Sequence, residues 1–361
     1  MATPTQASSS DETDRNTGRA GEPVARRRHV PAGDHGPGTV RVYAMVDGKL
    51  EELEGTPAET RLPELIKPAG AAVWVDLTGP SNEQVEAIGP LLGLHPLIVE
   101  DILEGNQRSK LEITDGVVHL VLFSLEYSEA LVTTEIDIVL GAGFLLTAHD
   151  RSWDPRVSHH LRGGDGVESI LAEGPDHLLW AICDDIVDRY FPSADLLGDA
   201  IDDVQDAVVR KASPDALDRL FALKRELHEV RRSVGPVREI FNQLTNREMP
   251  LIDPEEIVYF RDVYDHIIRL TDELDNYREL AAATLDVYLT QVNNNLSVIM
   301  KRLTGVTVIV AGVGAVAGIF GMSEAGTALA GAEASGFWVV TGITVVAGAI
   351  SAVVLRRIGW I

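Results

Sequence analysis

The sequence predicts an α/β cytoplasmic domain, a long helical stalk and two C-terminal transmembrane helices. Three observations carry this prediction. Two apolar segments without internal charge, Leu303–Phe320 and Phe337–Leu355, close the chain. Short β-branched runs bounded by Gly, Pro or Asp fill residues 39–149, as strands do. No proline follows Pro254, so one helix can run from there into the first apolar segment.

The apolar segments are 18 and 19 residues long. A helix rising about 1.5 Å per residue needs roughly 20 residues to cross a ~30 Å hydrocarbon core, so both can span and need bilayer lipid around them. Lys301 and Arg302 precede the first, Arg356 and Arg357 follow the second, and the loop over 321–336 carries only Glu324 and Glu333. The positive-inside bias therefore predicts a multi-pass protein with both termini cytoplasmic, and the plasma (inner) membrane is its expected location. Trp360 reads as an interfacial anchor.

Taken in order, residues 1–37 are rich in Pro, Gly, Ser, Thr and Arg, contain no apolar signal-peptide core, and read as a disordered tail. Residues 38–168 form the α/β domain, with strands expected at Thr39–Met45, Ala72–Leu77, Val117–Tyr127, Glu135–Leu140 and Phe144–His149 in a mixed sheet. Helices are expected after Ser81, as N-cap, and after the His95-Pro96 break. Over 169–250 helical periodicity takes over, with breaks expected at Pro192, Pro214 and Pro236. Residues 171–206 hold ten acidic side chains and one arginine, either a solvated face or a diffuse cation reservoir.

The stalk occupies 251–320, with Asp253 as N-cap, Pro254 at the first helical position, and 303–320 as its transmembrane part. Val263, Ile267, Leu270, Leu274, Tyr277, Ala281, Thr284 and Tyr288 recur at alternating spacings of four and three. That heptad seam packs either on copies of itself or on the preceding helices. It continues into Gln291 and Asn295, turning polar near the membrane as a hydrated passage or a register-fixing layer would. The loop over 321–336, the second transmembrane helix at 337–355 and a basic end at 356–361 complete the chain.

A net charge of −24, from 55 acidic and 31 basic residues, argues against nucleic acid and anionic headgroups as partners and suits cations, although solubility alone explains it equally. The single Cys183 excludes an internal disulfide. No GxxxxGK[ST] phosphate loop indicates a nucleotide, and His149-Asp150 and His159-His160 belong to no recognisable catalytic or zinc spacing. An enzyme is therefore not expected, nor a cofactor.

Four strings in one order, HPLIVEDILEGNQRSKLE at 95–112, YFRDVYDHIIRLTDELDNYRELAAATLDVYLTQVNNN at 259–295, MKRLT at 300–304 and AGIFGM at 317–322, resemble the CorA-type divalent-cation transporters. The resemblance covers roughly residues 40–361. It implies a funnel-shaped homopentamer whose long helices ring a pore, with Mg2+ both transported and regulatory. Asp101 and Asp262 match the regulatory carboxylates that a cytoplasmic ion would bridge between subunits. The alternative for them is a helix cap and an i,i+4 pair. Asp286 matches an acidic ring at the inner mouth. Met300 and Leu303 match the apolar constriction, where such side chains can keep a pore dry, and Thr304 falls among the pore residues. Core packing would explain the apolar pair equally.

The chain also departs from the family pattern. The outer tripeptide is Gly321-Met322-Ser323 where the family has Gly-Met-Asn, and Ser297 stands at a second position usually held by Asn. Serine is shorter and less polar than asparagine, which bears on selectivity. Gly312 replaces a common proline inside the stretch GVGAVAG. The resemblance implies influx of divalent cations, most of all Mg2+, driven by membrane potential and gated by cytoplasmic Mg2+. The alternatives are a Co2+, Ni2+ or Zn2+ transporter, or a non-conducting divalent-cation sensor.

Overall fold

The computed structural model describes residues 38–321 and 335–360, apart from 69, 106, 128–130, 163, 247–248 and 250. The chain divides into two compact units, one of residues up to Ala200 with Ala222–Arg278, the other of Ile201–Phe221 with Glu279 onward.

The first unit is built on β1 (Thr39–Val46), β2 (Lys49–Glu54), α1 (Thr56–Leu65), β3 (Val73–Thr78), α2 (Asn82–Leu91), α3 (Pro96–Glu104), β4 (Lys110–Thr114), β5 (Val117–Tyr127), β6 (Leu131–Gly141) and β7 (Phe144–His149). The strands form one sheet in the order β2-β1-β3-β7-β6-β5-β4. Only β3 and β7 pair in parallel, so the sheet is mixed, as the sequence predicts. The sequence reading missed β2 and β4, which are the two edges. Both are rich in Lys and Glu, the charge that edge strands use against uncontrolled pairing, and that charge hides their β pattern.

Strand alternation sends successive side chains to opposite faces. Val40, Val42, Val73, Val75, Leu77 and Leu146 line one face and bury Leu62 of α1, Ile88 of α2 and Ile98 and Ile102 of α3. Alternate positions, Leu120, Leu122, Ile138, Leu140 and Leu145, are equally buried on the other face. Helices α4 (Gly164–Glu173) and α5 (Pro175–Asp188) pack against the sheet there. The Ser81 N-cap is realised in full. Its hydroxyl accepts from the Gln84 amide at 3.3 Å, and the Gln84 side chain accepts from the Ser81 amide at 3.0 Å.

Buried polar groups on β3 and β7 satisfy one another. Trp74 Nε1 donates to Thr147 Oγ1 at 2.9 Å, Thr147 Oγ1 donates to Asp76 Oδ1 at 2.8 Å, and His149 Nε2 lies 3.0 Å from the same oxygen. The network lets a 1% exposed aspartate sit inside the sheet without an unpaired charge.

Helices α6 (Tyr190–Arg210), α7 (Pro214–Asn246), α8 (Ile257–Gly321) and α9 (Ser335–Arg357) follow. The break expected at Pro192 falls at Arg189, between α5 and α6, and leaves Pro192 in the first turn of α6, where its missing N–H has no helical partner to lose, whereas the break expected at Pro236 is absent. Pro236 lies inside α7, between the buried Val234 and Val237, whose packing favours the helix against the local cost of the proline. Asp253 caps a turn instead of the stalk helix, accepting from the Glu255 amide at 3.0 Å, and α8 begins at Ile257.

At 65 residues α8 is about 97 Å long. Its seam is buried within the single chain, with Val263, Ile267, Leu270, Ala281 and Thr284 at 0% exposure. This part of the seam therefore packs on the chain's own helices. The Tyr277 ring sits so close to α6 that a Cβ on Gly198 would lie 2.6 Å from its Cζ.

Candidate functional site

Asp101 lies on the last turn of α3, which Gly105 ends in the left-handed conformation at φ 50°. Its side chain is no helix cap. Lys110, on β4, places Nζ 2.6 Å from Asp101 Oδ2 and 3.2 Å from Glu112 Oε2. Burial opposes the charge on this lysine, but the hydrogen bonds to Asp101 and Glu112 outweigh it and hold its pKa above the usual value. Glu112 faces His119 across the β4–β5 pair, and donor atoms of Asp101, Glu112 and His119 lie within 4.8 Å of one another.

Asp262, near the start of α8, is 72% exposed and 3.9 Å from His266 Nε2, an i,i+4 pair of the kind the sequence allows. His266 Nδ1 reaches Asp188 at 3.4 Å, and Asp184, Asp262 and His266 form a second set of donors within 4.8 Å. Burial and the Asp184 charge raise the Asp188 carboxyl. Asp101 and Asp262 therefore belong to separate donor groups within one chain.

The acidic stretch before α8 is mostly a solvated face. Asp195, Asp199, Asp202, Asp203 and Asp206 are exposed, whereas Asp184 and Asp185 are buried against His160 at 2.8 Å and Arg189 at 2.8 Å. His149 and His160 are thus partnered interior or half-buried groups. Sequence spacing carries no signal of that, because their carboxylates come from distant elements.

In the second unit the polar end of the seam still touches the chain: Gln291 Nε2 donates to the Val209 carbonyl at 3.1 Å. Beyond it α8 is nearly bare. Ser297, Met300, Leu303 and Thr304 are all exposed, Met300 and Leu303 at 60% each, as is Asp286 ahead of Gln291. Ser297 Oγ donates to the Asn293 carbonyl at 3.0 Å, which leaves its lone pairs facing outward. The apolar part of α8 is long enough to cross a membrane, and almost none of it is buried within the chain.

Helix α9 turns a line of mostly small, half-buried residues, Thr341, Thr344, Gly348, Ala352 and Leu355, inward. A Cβ on Gly348 would lie 3.8 Å from Val313 of α8. Positions Gly312, Gly314 and Gly318 meet nothing within 4 Å, so α8 is open to lipid or to other copies at these small residues. Gly321 is the last residue of α8. Met322, Ser323, Glu324 and Glu333 lie outside the described residues, as does the tail over 1–37.

The family model described as CorA-like Mg2+ transporter protein matches residues 69–357. The chain is 32% identical over 282 residues to the cobalt/magnesium transport protein CorA of Thermotoga maritima, covering 76% of this chain and 79% of that protein. It is 29% identical over 257 residues to the putative metal ion transporter YfjQ of Bacillus subtilis, covering 71% and 80%. Among solved structures, the CorA magnesium transporter of Methanocaldococcus jannaschii superposes with a TM-score of 0.73 at 22% identity, covering 89% of this chain and 98% of that one.

Proposed function

The chain belongs to the CorA-like Mg2+ transporter family, and on that premise we propose that it carries divalent cations, Mg2+ first, into the cell through a pore lined by α8. The observation that carries the reading is the change of environment along this one helix. Its first part buries an apolar seam in its own chain, while from Asp286 onward it presents Asp286, Ser297, Met300 and Thr304 uncovered, eleven, three and four residues apart, each a near-whole number of helical turns. Large exposed apolar surface needs lipid or further protein. A homopentamer, as the family resemblance implies, would supply that cover and place these residues around an axis.

The chemistry suits a hydrated ion. Mg2+ releases its water shell reluctantly, and the waters point their hydrogens outward, so a passage needs acceptors. Ser297, with its proton engaged by Asn293, is such an acceptor. Asp286 would gather cations at the inner mouth, and Met300 and Leu303 would close the passage by excluding water. Two charges crossing 100 mV gain about 4.6 kcal/mol, enough to drive entry without nucleotide.

Gating would use the exposed Asp262 of one copy and Asp101 of its neighbour, whose mutual repulsion a cytoplasmic Mg2+ relieves. The word cobalt in the names of relatives favours Co2+ as a second substrate. The test is cation uptake by full-length protein in liposomes, with Mg2+ varied on the side of the soluble domain. Uptake suppressed by millimolar Mg2+ on that side supports gating; uptake indifferent to it removes the gating part of the proposal.

A further inference from the structure

His119 is fully buried, yet its two ring nitrogens have different fates. Nε2 lies 2.9 Å from Asp137 Oδ1, while Nδ1 is buried with no hydrogen-bond partner. In the neutral imidazole with Nε2 donating to the Asp137 carboxylate, Nδ1 presents a lone pair. A buried acceptor without a partner costs about 1–3 kcal/mol and calls for an explanation. Asp101 and Glu112 bring carboxylate oxygens within 4.8 Å of the His119 donor atom. A carboxylate fixing one nitrogen of an imidazole, with the other unpartnered and acidic oxygens beside the ring, is the arrangement that orients a metal-ligating histidine.

We propose that His119 Nδ1, Asp101 and Glu112 form a binding site within each subunit for a late first-row divalent cation of the Co2+, Ni2+ or Zn2+ class. One imidazole and two carboxylates suit these ions and not Mg2+, which takes oxygen ligands. Lys110 is the built-in competitor. Its ammonium bridges Asp101 and Glu112, and an arriving dication displaces it toward solvent, exchanging one positive charge for two beside two negative ones. Because Asp101 is shared, occupation of this site would report transition-metal load to the subunit contact proposed above. The binding itself does not rest on that reading and holds whether or not the chain conducts.

The test uses full-length protein in detergent, carrying Asp262→Asn, His266→Gln and His159→Gln to silence the other two donor groups, of which His159, His160 and Asp184 form one. Co2+ is titrated by equilibrium dialysis, and its ligands are read by X-ray absorption. The expected result is a bound Co2+ with imidazole scattering. Lys110→Met should tighten it about tenfold, and Glu112→Gln should weaken it at least tenfold. Mg2+ at equal concentration should leave it in place. Glu112 is half exposed, so its substitution does not threaten the fold. The proposal is overturned if Co2+ shows no imidazole scattering, if Glu112→Gln leaves the isotherm unchanged, or if Lys110→Met fails to tighten it.

Discussion

Ser297 Oγ lies 3.0 Å from the carbonyl oxygen of Asn293, one turn earlier on the same helix. The bond fixes what the hydroxyl can offer. Its proton is held by the backbone, so toward a neighbouring ion it acts as an acceptor, like the carbonyl oxygen of an asparagine side chain. A serine at this position can thus serve the hydration shell of a cation.

Removing that acceptor should therefore impair conduction more than enlarging it. Each lost hydrogen bond removes about 1 kcal/mol from the contacts around the ion, and a ring of copies multiplies the loss. Ser297→Ala is expected to lower Mg2+ flux about tenfold or more, while Ser297→Asn keeps or raises it. Initial uptake rates in proteoliposomes decide between them.

Asp262→Asn should loosen regulation while leaving the pore intact. With 72% of its side chain exposed, Asp262 contributes little to its own subunit, so folding should hold. The Mg2+ concentration that suppresses uptake is expected to rise about tenfold or more, a change worth ~1.4 kcal/mol per tenfold. An unchanged inhibition curve would remove Asp262 from the gate.

Gly198 tests the packing of α6 on α8. A methyl group there would lie 2.6 Å from the Tyr277 ring, so Gly198→Ala forces the aromatic aside. The expected cost is about 1–3 kcal/mol, read as a lower unfolding midpoint of the protein in detergent.

Thr147→Val should be costly despite its shape match. It removes the hydroxyl between Trp74 Nε1 and Asp76 Oδ1, leaving a buried donor without its partner. A loss of about 1–3 kcal/mol is expected in chemical unfolding.

These sites also mark how far the sequence could be read. The apolar strands and the unbroken run after Pro254 carry their own signals, so the sheet's centre and the long helix were legible. Edge strands Lys49–Glu54 and Lys110–Thr114 were not, because solvent-facing charge obscures their alternation. Pro236 looked like a break because local propensity knows nothing of the burial of Val234 and Val237. Asp101 was singled out through its motif, but its partner Lys110 was not, since the bond depends on how α3 meets β4. His119 had a faint signal, a lone histidine within an apolar strand. Only the cross-strand register with Glu112 gives it meaning.

Divalent-cation conduction is the central claim, and flux under an imposed potential tests it most directly. Full-length protein in liposomes, with an inside-negative potential and Mg2+ outside, should accumulate Mg2+ at a rate that rises with the potential and falls on collapsing it. Folded, membrane-inserted protein that passes no Mg2+ above protein-free liposomes at any potential would contradict the account.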